Sequence, residues 1–111
     1  GENIFIIKDG QISTPPASDG ALKGITAQSV MQIARDLGYT VTEKSVIRDE
    51  LFLADELFFT GTAAELTPIR EINGRTIGTG TRGPITTAIQ TEFFDALKGK
   101  SDRYSEWLTQ V

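Results

Sequence analysis

One stretch limits what this chain can fold into more than any other: Leu57-Phe58-Phe59-Thr60-Gly61-Thr62-Ala63-Ala64-Glu65-Leu66-Thr67-Pro68-Ile69. It reads as a strand, a turn of small residues and a returning strand. Leu57, Phe58 and Phe59 have the apolar, aromatic character of a buried strand. Residues 60–64 are all small, and a hydrophobic core gains little from such a run. A ligand gains more, because small side chains let backbone N–H groups approach closely and Gly61 can adopt positive φ. The threonine hydroxyls can donate to an anion. The same residues serve a plain tight turn equally well, so the stretch alone leaves both readings open.

The 111 residues can bury one modest core. A net charge of −4 does not favour a nucleic-acid surface. There is no Cys, hence no disulfide and no thiolate metal site, and no His, which removes the commonest general base. No apolar run approaches the length of a membrane span. A soluble, cytoplasmic protein is the expectation. The chain opens at Gly1 and enters the strand pattern Asn3-Ile4-Phe5-Ile6-Ile7-Lys8 almost at once. That start reads as a segment of something larger, or as a processed terminus.

Asp9-Gly10 marks a hairpin between residues 4–8 and 11–14, and Pro15-Pro16 ends the second strand. Residues 17–23 form a loop. A helix follows, with Thr26 as N-cap, Ile25 and Val30 at the spacing of a hydrophobic staple, and Gly38 at its end. Its apolar stripe is Val30, Ile33, Ala34 and Leu37. The first-turn N–H groups of such a helix lack partners, and Gly24 gives backbone access, so Gly24-Ile25-Thr26 is a candidate phosphate cradle. A capped helix that binds nothing fits the same residues.

Residues 40–47 read as a strand and 48–54 as a short helix carrying Leu51, Phe52 and Leu53. Asn73-Gly74 marks a second hairpin, joining residues 68–72 to 75–77. A long helix spans residues 84–98, with Pro84 at N1 and Ile85, Ala88, Ile89, Phe93, Ala96 and Leu97 on one face. Gly99 stops it. Tyr104, Trp107 and Leu108 suit a short closing helix with Ser101 as its cap. The pieces indicate an α+β fold with mixed or antiparallel pairing and two main helices.

Gly78-Thr79-Gly80-Thr81-Arg82-Gly83 matches the dinucleotide fingerprint and precedes a helix. A dinucleotide fold also needs a parallel βαβ unit, with an acidic residue about 20 residues on. Here the preceding strand returns from a hairpin and no strand follows, so the segment reads as a Gly-rich crossing loop near an active-site mouth. The acid pairs Asp49-Glu50 and Asp55-Glu56 read as solvated element ends. No catalytic constellation is complete. Two backbone-rich cradles with no local base suit a site for a phosphorylated cofactor that carries the chemistry.

Gly1-Glu2-Asn3-Ile4-Phe5, Thr14-Pro15-Pro16, Leu22-Lys23-Gly24-Ile25-Thr26, Ala54-Asp55-Glu56-Leu57-Phe58 and residues 60–69 occur in one order. With Ile72-Asn73-Gly74, Gly83-Pro84-Ile85-Thr86 and Trp107-Leu108, they cover essentially the whole chain. By these motifs the chain resembles the C-terminal part of the branched-chain amino acid aminotransferases, pyridoxal-phosphate enzymes of fold type IV. The resemblance implies that residues 1–111 are one segment of the large, cofactor-binding domain, most of a pseudo-barrel. It places the N–H groups of Ile25 and Thr26 and the Thr26 hydroxyl on the cofactor phosphate. Leu22 would pack on the pyridine ring, and Gly24 would give access. Thr62 would reach the phosphate, the N–H groups of Thr62 and Ala63 would hold the substrate carboxylate, and Gly61 would let the backbone approach. Asn3 would lie near the ring.

The resemblance also implies what lies elsewhere. The Schiff-base lysine, the glutamate on the pyridine nitrogen and an arginine on the phosphate would precede Gly1. None of Lys8, Lys23, Lys44, Lys98 or Lys100 matches the lysine motif, so this chain alone is expected to be inactive. The parent would transaminate branched-chain L-amino acids and 2-oxo acids with glutamate and 2-oxoglutarate, in branched-chain amino acid biosynthesis. Its partners would be the N-terminal part of the same enzyme and a second copy, with no metal, nucleic acid or membrane. Open sheet edges on an isolated segment would invite association. Alternatives are a D-amino acid aminotransferase, an aminodeoxychorismate lyase, a non-catalytic phosphate-binding fragment, or a structural domain whose loops are only turns.

Overall fold

The computed structural model describes residues 3–16, 24–61 and 66–97. The expected closing helix with Ser101, Tyr104, Trp107 and Leu108 lies outside these residues, as do Leu22, Thr62 and Ala63.

Asp9-Gly10 forms the tight turn its sequence predicts. Both residues have positive φ (53° and 76°), the geometry whose twist matches two antiparallel strands. The turn joins β1 (Asn3–Lys8) to β2 (Gln11–Thr14). β2 stops where Pro15-Pro16 can offer no N–H, and the Thr14 hydroxyl donates to the Ile4 carbonyl at 2.7 Å in their place. Helix α1 (Ile25–Asp36) then crosses to β3 (Thr40–Glu43), which runs parallel to β2. The expected strand over residues 40–47 is therefore shorter. Its sole neighbour β2 ends at Thr14, and Lys44 N–H to the Thr14 carbonyl at 3.0 Å is the last rung.

Helix α2 (Arg48–Leu53) leads into β4 (Glu56–Thr60), and β5 (Leu66–Pro68) returns beside it. The result is a five-stranded mixed sheet in the order β3-β2-β1-β4-β5. Pro68 faces Phe58 across the edge, and Ile69 N–H makes one more bond, to the Leu57 carbonyl at 2.9 Å, before the chain leaves the sheet. So residues 68–72 do not form one strand. β6 (Glu71–Ile72) and β7 (Arg75–Thr76) make a separate ribbon around Asn73-Gly74, again with both φ values positive. α3 (Pro84–Leu97) completes the described chain. No helix among the described residues is long and apolar enough to cross a membrane.

The sheet has two apolar faces. On one, Phe5, Ile7, Ile12 and Phe58 pack under Ala27, Val30, Ile33 and Ala34 of α1 and Ile89, Phe93 and Ala96 of α3. Phe5 and Phe58 are register partners, and their rings stack at 4.9 Å and 11°. On the other, Ile6, Leu57, Ala54 and Ile77 form a smaller cluster against Leu51, Phe52 and Ile72. Leu37, expected on the buried stripe of α1, is 43% exposed because it is the residue at which the helix ends. Gly38 follows at φ 96°, and the bonds from Gly38 N–H to Arg35 O and from Tyr39 N–H to Ala34 O close a Schellman motif.

The acid pair Asp55-Glu56 divides. Asp55 is exposed at the sheet end, where it accepts the Asp9 N–H at 2.9 Å with Lys8 at 3.5 Å. Chiefly that N–H, aided by Lys8 and against a smaller opposing effect of burial, holds the Asp55 carboxyl below its usual value. Glu56 is not solvated, contrary to expectation. It is 8% exposed and accepts N–H bonds from Ile85 at 3.2 Å and Thr86 at 2.7 Å, capping α3 from the sheet. Gly83 makes this contact possible, since a β-carbon there would collide with the Glu56 side chain.

Glu56→Ala should lose roughly 2 kcal/mol of stability in urea unfolding, because the Thr86 N–H is left buried and unpaired. Gly83→Ala should lose a similar amount by displacing the same carboxylate, about 1–3 kcal/mol. The Asp55 contribution has the opposite pH sense to that of a raised base. Its folded pKa is depressed, so the contribution is full above the unfolded aspartate value of about 3.9 and is lost as pH falls below it. The stability gap between the native chain and Asp55→Asn should therefore be present at pH 7 and close through the acid limb of a pH series of urea midpoints.

Candidate functional site

Helix α1 begins without a side-chain cap. Gly24 is extended, with φ −61° and ψ 155°, and its carbonyl accepts the first helical bond from Gln28 N–H at 3.0 Å. Gly24, not Thr26, is thus the N-cap. Ile25 is already the first helical residue, not the position before the cap that a staple to Val30 requires. Ile25, Thr26 and Ala27 occupy the first turn, whose N–H groups have no partner inside the helix. The positive end of the helix dipole lies there as well. Thr26 is half-buried and Ala27 fully buried.

Register carries Thr60 and Gly61, the described part of the second candidate cradle, to the same place. β1 and β4 pair so that Asn3 faces Thr60 and Phe5 faces Phe58. Alternation puts Asn3, Phe5, Phe58 and Thr60 on the helix-covered face. The Asn3 side-chain oxygen lies 3.9 Å from the point a Gly24 β-carbon would occupy. The loop into α1, the start of β1 and the end of β4 are therefore neighbours. Gly61 follows directly, half-buried, with Leu66 returning opposite Thr60. The carboxyl ends of the parallel pair β2 and β3 point to the same side, where open α/β sheets hold their ligands.

Of the residues expected at the site, Gly24, Ile25, Thr26 and Gly61 come together at this end of the sheet, with Asn3 between them. Leu22, Thr62 and Ala63 lie outside the described residues. Thr60 adds a feature that sequence reasoning passed over: its hydroxyl is buried and has no hydrogen-bond partner among the described residues. The signal was available, since Thr60 shares a two-residue period with core-facing Phe58.

The glycine-rich segment before α3 lies elsewhere. Gly83 packs on Glu56 and Gly78 on the Asp55 carbonyl, both at the far end of β4 from Thr60. Four residues of strand separate these ends, roughly 13 Å at about 3.3 Å per residue. The segment is thus not at the mouth of the α1 cradle. The start of α3 is filled by Glu56, which leaves no seat for a pyrophosphate.

Comparison with known proteins bears on the family and the fold. The branched-chain-amino-acid aminotransferase of Pseudomonas aeruginosa is 52% identical over 111 residues, all of this chain and 36% of that protein. A crystal structure of the branched-chain amino acid aminotransferase from Thermobaculum terrenum, in its PLP-bound holo form, superposes with a TM-score of 0.88 at 38% identity. The match covers 96% of this chain and 35% of that one. The Thermoproteus uzoniensis branched-chain aminotransferase with norvaline gives a TM-score of 0.86 at 51% identity, over 96% of this chain and 35% of its own. The chain thus spans about a third of the length of these relatives. The amino-transferase class IV family profile matches residues 1–72, and with the sheet and helices superposing on fold-type IV enzymes, the chain belongs to that family.

Proposed function

We propose that this end of the sheet is the phosphate- and carboxylate-binding part of a pyridoxal-phosphate transaminase acting on branched-chain L-amino acids and 2-oxo acids, with glutamate and 2-oxoglutarate as the second pair. One observation carries the reading: a helix start whose N-cap, Gly24, brings no capping side chain opens beside the Asn3–Thr60 register pair, where the strand runs into Gly61. These residues fit a phosphorylated cofactor. The helix start offers N–H donors and positive potential, Gly24 adds no side chain, and Thr60 holds a buried hydroxyl still without a partner among the described residues.

Pyridoxal phosphate, when bound, supplies the electron sink that transamination needs. This chain's share is electrostatic and positional. The N–H groups of Ile25 and Thr26, with the Thr26 hydroxyl, hold the phosphate and fix the ring's position. Leu22 would pack against the pyridine ring and Asn3 would lie near it. Gly61 lets the following turn approach, so that the N–H groups of Thr62 and Ala63 hold the substrate carboxylate and the Thr62 hydroxyl reaches the phosphate. Fixed donors of this kind need no reorganisation as charge develops. The lysine that moves the proton, the glutamate on the pyridine nitrogen and the phosphate arginine come from elsewhere in the same protein. The assembled enzyme is a homodimer or larger and works in the cytoplasm.

Thr26→Val tests the cradle, since it removes a hydroxyl and keeps the N–H. In the protein that carries this segment, affinity for pyridoxal phosphate should fall about tenfold, the worth of one hydrogen bond to a charged group. Affinity for pyridoxal, which lacks the phosphate, should not change. An equal loss for both compounds, or no loss for either, would count against the reading. The 111-residue chain alone, treated with cofactor and borohydride, should give no stable adduct on a single lysine by peptide mass mapping. Such an adduct would show that the chain carries its own lysine.

A further inference from the structure

Away from the α1 cradle, the outer side of β5 borders a cleft of about 500 Å³ lined by Pro68, Arg70, Thr81, Arg82, Thr87 and Gln90. Two arginines are among its walls, and among the described residues no acidic one is. Among the described residues, neither Arg70 nor Arg82 is paired with an acid. The chain as a whole is acidic, at −4, so two unneutralised arginines around one cleft are a local inversion of its charge.

Arg82 is held in place by a neutral group. Its Nη1 donates to Gln90 Oε1 at 2.5 Å, and Gln90 Nε2 donates to the Leu66 carbonyl at 3.1 Å. Gln90 is only 9% exposed, and both ends of its amide are committed. The amide cannot be turned round, because its nitrogen would then face a guanidinium that only donates and its oxygen a carbonyl that only accepts. A buried amide therefore orients the guanidinium and leaves its charge intact. The remaining N–H groups of the fork stay available, in a geometry that matches carboxylate and phosphate oxygens. Thr87 donates to the Gly83 carbonyl at 2.7 Å and so offers no proton to a guest. The cleft's donors are the two arginines, since the Thr81 hydroxyl already shares a hydrogen bond with that of Thr79 at 2.9 Å.

We propose that this cleft binds a small oxyanion, a carboxylate or phosphoryl group, between Arg70 and Arg82, at a site separate from the cofactor cradle. The inference does not depend on the transaminase reading. Because Gln90 joins Arg82 to Leu66, where the chain returns to the sheet after Gly61, occupancy should also register on the Gln90 amide.

The test is a titration of the isotopically labelled protein that carries this segment with inorganic phosphate and, separately, with succinate at constant ionic strength. The arginine Nε–Hε signals of Arg70 and Arg82 and the Gln90 side-chain amide are followed by NMR. Saturable movement of all three by either anion is expected, and the anion that saturates identifies the phosphoryl or the carboxylate class. Arg70→Gln and Arg82→Gln should each weaken binding about tenfold. Arg70 has no side-chain bond to lose among the described residues, so its variant carries the test even where Arg82→Gln disturbs the fold. Failure of both anions to saturate, or saturation with unchanged affinity in Arg70→Gln, overturns the proposal.

Discussion

The antiparallel register of β1 against β4 is the constraint on which the rest of the structure depends. It sets Phe5 against Phe58 under the two long helices, and alternation then fixes everything else on that face. Asn3 and Thr60 fall at one end, beside the start of α1. Glu56 falls at the other, under the start of α3. A slip of β4 by one residue would turn Glu56, Phe58 and Thr60 toward the opposite cluster and leave Phe5 without its stacking partner. Core packing and site geometry are thus one choice of register, enforced by the stacked rings.

The helix-covered face is polar at its edges. Thr14, Glu56, Thr60, Thr86 and Gln90 are all buried. Three of them answer backbone groups that the secondary structure leaves unpaired. Thr14 serves the Ile4 carbonyl past the prolines, Glu56 serves the first turn of α3, and Gln90 serves the Leu66 carbonyl on the edge strand. These placements satisfy main-chain polarity where short strands run out of partners. The Thr60 and Thr86 hydroxyls both lack a partner among the described residues, and of the two it is Thr60 that lies beside Asn3 and the start of α1.

What the sequence disclosed was mainly local. Asp9-Gly10 and Asn73-Gly74 specify their turns through backbone preference alone, and both appear with the expected positive φ. Gly38 marks the end of α1 for the same reason. The expected strands on either side of the small-residue run appear as β4 and β5, while residues 62–65 lie outside the described residues. The length of β3 was not legible, because it is set by Pro15 and Pro16 on a neighbouring strand rather than by its own Val and Thr residues. Nor was the split of residues 68–72, which follows from Pro68 reaching the sheet edge. Glu56 was misread for a different reason. Its neighbour Asp55 is solvated, and a charged pair in sequence gives no hint that one member faces a helix end 30 positions away.

The position of the first helical residue shows why sites resist local reading. Thr26 carries a hydroxyl that could cap and Gly24 does not, yet the cap lies two residues earlier, at Gly24. A serine or threonine at the N-cap would satisfy a first-turn N–H itself and leave less for a ligand. The two long helices make the contrast within one small sheet. α3 has its first turn occupied by a carboxylate of the protein, reached across 30 residues of chain, and so has no use for an anion. α1 has a glycine in that place and no side-chain cap, with a threonine in its first turn. Such unpaired N–H groups serve stability in α3 and, in the function proposed above, recognition in α1. Which role they take is decided by whether the fold brings an acidic side chain to them.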